Sequence, residues 1–110
     1  MEYRVELTDS AKQDLAGIYT YIEERFFSEE AALNTVQNTL FGLTTLELFP
    51  TSGFPVAPRI GRTIPNTNDY RGLVLGNHIA FYDVIESKLL VEVDRILYSR
   101  QNWIEVLGRE

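Results

Sequence analysis

The stretch 70-YRGLVLGNHIAFYDVIESKLLVEVDRILY-98 decides the fold. It contains three apolar runs, YRGLVLG, HIAFYDVIE and LLVEVDRILY, separated only by Gly76-Asn77 and Ser87-Lys88. Short runs rich in Val, Ile and aromatic residues read as strands, and such brief polar connections read as hairpins. The three strands are therefore expected to be antiparallel neighbours in one sheet. With a regular pleat, Leu89, Val91, Val93, Arg95 and Leu97 share one face of the last strand. The chain continues as SRQNWIEVL, which reads as a short helix with Trp103, Ile104 and Leu107 on one side.

Upstream, MEYRVELT alternates, with Tyr3, Val5 and Leu7 on one face, as a half-buried strand does. SAKQ at 10–13 fits a capping box with Ser10 as the N-cap. Ala11, Leu15, Ile18, Tyr19, Ile22 and Phe26 then recur at helical spacing. Gly17 inside that helix costs roughly 1 kcal/mol against Ala, which suggests close packing there. Ser28 is a suitable N-cap for a second helix carrying Ala32, Val36, Leu40, Leu43 and Leu46, with Pro50 just past its end. The connection FFSE is short, so the two helices should form an antiparallel hairpin. FPTSGFPVAPRIGRTIPNTND holds all 4 prolines of the chain and reads as a long loop.

The order β-α-α-β-β-β-α predicts one α+β domain over residues 1–110. Its N-terminal strand and helical hairpin join a twisted antiparallel sheet of about four strands, with a short C-terminal helix. The hairpin covers one sheet face and leaves the other available. A hydrophobic share of 45% supports a packed core. With 0 cysteines and 1 histidine, neither disulfides nor a zinc centre is expected, and a reducing cytoplasm suits the composition. No apolar run spans a bilayer, and no secretory signal opens the chain, so no membrane partner is expected. The net charge of −6 argues against nonspecific nucleic-acid binding and against specific DNA binding by this chain alone. Charge is uneven, however: residues 51–78 hold Arg59, Arg62 and Arg71 against Asp69 only.

Each candidate residue has a structural and a functional reading. Arg95 in an apolar row is either a buried ion-pair partner or a fork for phosphate or carboxylate. Arg100 is a solvated charge or part of a target surface. Tyr98 is a half-buried phenol or a stacking and proton-transfer group. Trp103 anchors the last helix or contacts a target. His78, just after a hairpin turn, is a satisfied imidazole or an acid–base group. The glutamates at 23, 24, 29 and 30 read as a solvated face. GFPVAPRIG lacks the Lys-Ser/Thr pair of a phosphate loop.

Four pieces carry a family likeness in order: YRVELTDSAKQDLAGIYTYI (3–22), LTTLELFPTSG (43–53), YRGLVLGNHIAFYDV (70–84) and VEVDRILYSRQNW (91–103). The chain resembles the RelE/ParE superfamily of type II toxin–antitoxin toxins, on the side of its ParE-like, plasmid-stabilisation branch. The resemblance implies a helical hairpin against a twisted antiparallel sheet. It also implies a cognate antitoxin whose C-terminal segment docks on the apolar surface beside that hairpin. RelE-like members cut mRNA on the ribosome, whereas ParE-like members inhibit DNA gyrase. Of the basic residues that RelE-like ribonucleases carry, Arg71 remains; Leu73 fills the second position and Ile79 stands where an arginine is expected. Tyr98 replaces a histidine common in ParE-like relatives. At most Arg71, His78, Arg95, Tyr98 and Arg100 remain for a reduced catalytic site.

The resemblance therefore implies a bacterial toxin that halts growth by binding DNA gyrase, without catalysis or cofactors, through Arg95, Tyr98, Arg100 and Trp103. The alternatives are a ribosome-dependent mRNA endoribonuclease and a non-toxic interaction module.

Overall fold

The computed structural model describes residues 2–108. Its elements are β1 (Arg4–Leu7), α1 (Asp9–Phe26), α2 (Glu29–Leu43), β2 (Phe54–Pro55), α3 (Ala57–Ile60), β3 (Tyr70–Leu75), β4 (His78–Ile85), β5 (Leu90–Tyr98) and α4 (Trp103–Gly108). They form a 5-stranded sheet in the order β1-β5-β4-β3-β2. β3, β4 and β5 are the expected antiparallel meander. Two features extend the expected sheet. β2 adds a two-residue strand against β3, and β1 runs parallel to β5. Alternation in MEYRVELT identifies a strand but carries no information about its neighbour's direction.

The helical hairpin starts two residues earlier than the capping-box pattern suggests. Thr8, not Ser10, caps α1: its Oγ1 accepts from the Ala11 amide at 3.2 Å and donates to the Asp94 carbonyl at 3.0 Å. The cap thus also ties the helix start to β5. Ser28 caps α2 as expected, accepting from the Ala31 amide at 3.0 Å. Gly17 is exposed, and a Cβ there would meet nothing within 4 Å. The expected close packing at Gly17 is therefore absent.

Two cores flank the sheet. On the helix side, Ala11, Leu15 and Leu43 pack on Tyr82, Val91 and Val93. On the far side, Val56, Ile64 and Leu107 pack on Ile79, Phe81 and Leu97. The far face is therefore covered, contrary to the expectation that it stays available. Its cover comes from α4 and from the proline-rich segment, which folds into β2 and α3 instead of remaining a long loop. Six consecutive β4 residues, Ile79 to Val84, are buried in consequence. A strand apolar on both faces requires two covering layers.

The turn between α2 and β2 is clamped from the sheet. Tyr82 donates its hydroxyl to the Pro50 carbonyl at 2.7 Å and accepts from the Gly53 amide at 3.0 Å. Arg71 donates Nη1 to the carbonyls of Thr51 and Gly53, at 3.1 and 2.9 Å. A Cβ on Gly53 would lie 2.6 Å from the Gly72 carbonyl oxygen and 2.7 Å from the Tyr82 hydroxyl, so only glycine fits.

Two substitutions test this account, both by urea unfolding. Gly17→Ala should stabilise the chain by about 1 kcal/mol, because it removes backbone entropy at no steric cost. Tyr82→Phe should destabilise it by about 2 kcal/mol, because the Gly53 amide and Pro50 carbonyl lose a buried partner.

Candidate functional site

β5 does not keep a regular pleat. Its pairing with β4 shifts between Phe81 and Tyr82: Phe81 faces Arg95, while Tyr82 faces Val93, leaving Asp94 as the extra residue. A bulge of this kind re-aims the side chains beyond it. Val91, Val93 and Ile96 pack on the helix side, and Leu97 packs on the far side. Asp94 accepts from the Tyr70 hydroxyl at 2.8 Å.

Arg95 turns to α1. Its Nε and Nη2 donate to the two carboxylate oxygens of Asp14, at 2.8 and 3.2 Å, and the Ile96 amide donates to the same carboxylate at 2.9 Å. Both side chains are largely shielded, at 22% and 16% exposure. Arg95 thus takes the ion-pair reading, and its fork is aimed into the molecule. Arg71 is likewise engaged: besides clamping the 51–53 turn, its Nε donates to Asp69 at 3.1 Å. Trp103 lies 5.1 Å from the Phe81 ring and 5.9 Å from the Phe54 ring, which makes it an anchor of α4 on the far core.

The remaining three candidates come together at one end of the central strands. His78 and Tyr98 are cross-strand partners, with ring centroids 6.0 Å apart and planes at 66°. The Ser99 amide donates to the Asn77 carbonyl at 2.8 Å, pinning the start of the turn that carries Arg100. Tyr98 is 43% exposed, and Arg100 is exposed with no carboxylate partner among the described residues. Burial pushes the His78 imidazole below its ordinary value, so it is neutral at pH 7.

This rim can hydrogen-bond, stack and offer one guanidinium. Among the described residues it gathers no convergent set of cations, and the two positions where the resemblance implies them, Leu73 and Ile79, are apolar. Ile79 is buried in the far core, and Leu73 packs against the helix-side core. Among the described residues no group of three or more His, Cys, Asp or Glu could hold a metal ion.

Two arginines that the sequence reading counted only as local positive charge have defined partners. Arg59 lies over the Phe54 ring, 4.1 Å from its centroid. Arg62 donates Nη2 to the Gly108 carbonyl at 2.8 Å and so caps α4. The cationic excess of residues 51–78 pointed to both, but reading 49–69 as a loop hid their partners.

Fold and rim together describe a small α+β domain with a polar–aromatic edge formed by His78, Tyr98 and Arg100. The sequence model of the ParE toxin of the type II toxin–antitoxin system parDE matches residues 5–103, and the chain belongs to that family. Among curated proteins none matches. A solved structure of the chromosomal ParDE system from P. aeruginosa superposes with a TM-score of 0.68 at 21% identity, over 88% of this chain and 96% of that one. The archaeal RelE–RelB complex from Pyrococcus horikoshii OT3 superposes with a TM-score of 0.57 at 16% identity, over 92% and 99%.

Removing either side of the Arg95–Asp14 pair should cost about 3 kcal/mol, because the partner is left shielded and uncompensated. The double variant Asp14→Asn with Arg95→Ala should lose less than the sum of the two, measured by a urea double-mutant cycle. His78 gives a pH signature. Its folded pKa is depressed, so the unfolded chain binds the proton more readily, and stability falls as pH drops below about 6.5. His78→Gln should lose less stability than the native chain between about pH 7.5 and pH 5.

Proposed function

We propose that this toxin halts growth by binding a cellular protein, DNA gyrase, without chemistry of its own, and that a cognate antitoxin neutralises it. The observation that carries the reading is the state of the cations. Arg71 and Arg95 are held in internal ion pairs, and Leu73 and Ile79 occupy the positions where a ribonuclease needs charge. What remains exposed, Tyr98 and Arg100 beside His78, suits a protein interface: a phenol and a guanidinium are favoured contact groups there. An acidic chain meets a protein target through local complementarity, whereas ribosomal RNA repels it.

The ParDE and RelE–RelB relatives support an antitoxin partner by similarity. A groove of about 570 Å³ lies beside the hairpin, lined by Glu6, Leu7, Lys12, Leu15 and Leu40. It runs along the free side of β1, an edge strand. The amides of Arg4 and Thr8 face β5, so alternation directs those of Val5 and Leu7 outward. Strand addition at this edge, with apolar side chains filling the groove, suits an extended antitoxin segment.

The test is inducible expression in a bacterium. Native chain should trigger a DNA-damage response without codon-phased mRNA cleavage. Tyr98→Ala combined with Arg100→Ala should relieve the arrest while thermal stability and antitoxin binding are kept. Codon-phased cleavage that disappears in Tyr98→Phe overturns this reading in favour of a ribonuclease.

A further inference from the structure

The hairpin tip, between α1 and α2, carries a feature that the fold does not require. Phe27 caps α1 in the left-handed conformation, at φ 51 and ψ 39, a position that favours glycine or asparagine. Its side chain is 94% exposed, and that of Phe26 is 63% exposed. A phenylalanine there bears backbone strain and leaves its ring in water. Strain and exposed aromatic surface that coincide at one point indicate a binding role.

The surroundings specify the partner's chemistry. Glu23 and Glu24 precede the two aromatics, and Glu29 and Glu30 follow them. Among the described residues none of the four is in an ion pair. Arg25, the nearest cation in sequence, stacks on the Phe26 ring at 5.9 Å. The Tyr19 phenol is pushed above its ordinary range, first by desolvation and then by the charges of Glu29 and Glu23. From Leu15, in the groove assigned to the antitoxin, to Phe27 the helix rises about 18 Å, so the tip is a separate surface.

We propose that Phe26 and Phe27 are the apolar centre, and the four glutamates the rim, of a docking site for a cationic, amphipathic segment of a partner protein. Aromatic anchors within a charged border are the usual composition of an interface centre and its steering rim. The negative rim excludes nucleic acid and anionic lipid, and it repels a second copy approaching tip to tip. This surface goes beyond the gyrase reading and does not depend on it.

The test titrates the isotope-labelled full chain with a leucine–lysine amphipathic peptide about four helical turns long, and with its leucine–glutamate counterpart. Saturable, salt-sensitive binding of the lysine peptide is expected, with amide shifts centred on residues 23–30 and none from the glutamate peptide. Phe27→Gly should melt about 4 °C higher, because glycine relieves the left-handed strain. It should bind the peptide about 30-fold more weakly. A variant that folds better and binds worse separates docking from stability. Absent binding, shifts scattered over the acidic surface or centred in the groove, or unchanged affinity in Phe27→Gly overturns the proposal. Self-association of the free chain that Phe27→Gly abolishes, seen by sedimentation, also overturns it and assigns the tip to a second copy.

Discussion

One carboxylate ties the helical hairpin to the sheet. Asp14 of α1 receives the Arg95 guanidinium and the Ile96 amide at the point where β5 bulges. A regular strand would set Arg95 in one apolar row with Val91, Val93 and Leu97. The extra residue at Asp94 lets Arg95 meet Asp14, keeps Ile96 on the helix side and sends Leu97 to the far core. Past that point β5 ends with Tyr98 exposed beside His78. The geometry of the rim follows from an ion pair some residues before it.

A second constraint explains why the family's sequence signature is informative about architecture. The tyrosine of the FY pair and the arginine of the YR pair both grip the turn that ends in Gly53. Three pieces distant in sequence are therefore one device: a phenol, a guanidinium and a turn that tolerates no Cβ. Their joint presence reports a shared scaffold. Relatives named for ParDE and for RelE–RelB accordingly superpose on the same fold.

Much of this was legible in the residues. The meander from 70 to 98 follows from period-two runs and short connections, and the hairpin follows from helical spacing with a serine cap. What escaped was non-local. Thr8 outcompetes Ser10 as a cap because its hydroxyl also reaches the Asp94 carbonyl, a contact between residues 86 apart in sequence. The proline-rich segment looks like a loop because its order comes from packing on Phe81 and Trp103, and its own periodicity is weak. Of the site, His78, Tyr98 and Arg100 were recognisable and do lie together. Arg71 and Arg95 were recognisable as unusual, but their acceptors, turn carbonyls and Asp14, are set by tertiary structure alone.

The parallel pairing of β1 with β5 has a consequence for synthesis. Arg4 pairs opposite Leu90, and Leu7 opposite Val93, so the first strand waits for nearly the whole described chain before it finds its place. The helical hairpin emerges from the ribosome long before the strands that bury its inner stripe. Sheet closure, and with it the His78–Tyr98 edge, is a late event dominated by distant contacts. A ribosome that stalls before residue 90 releases a chain with an unpaired first strand and no rim.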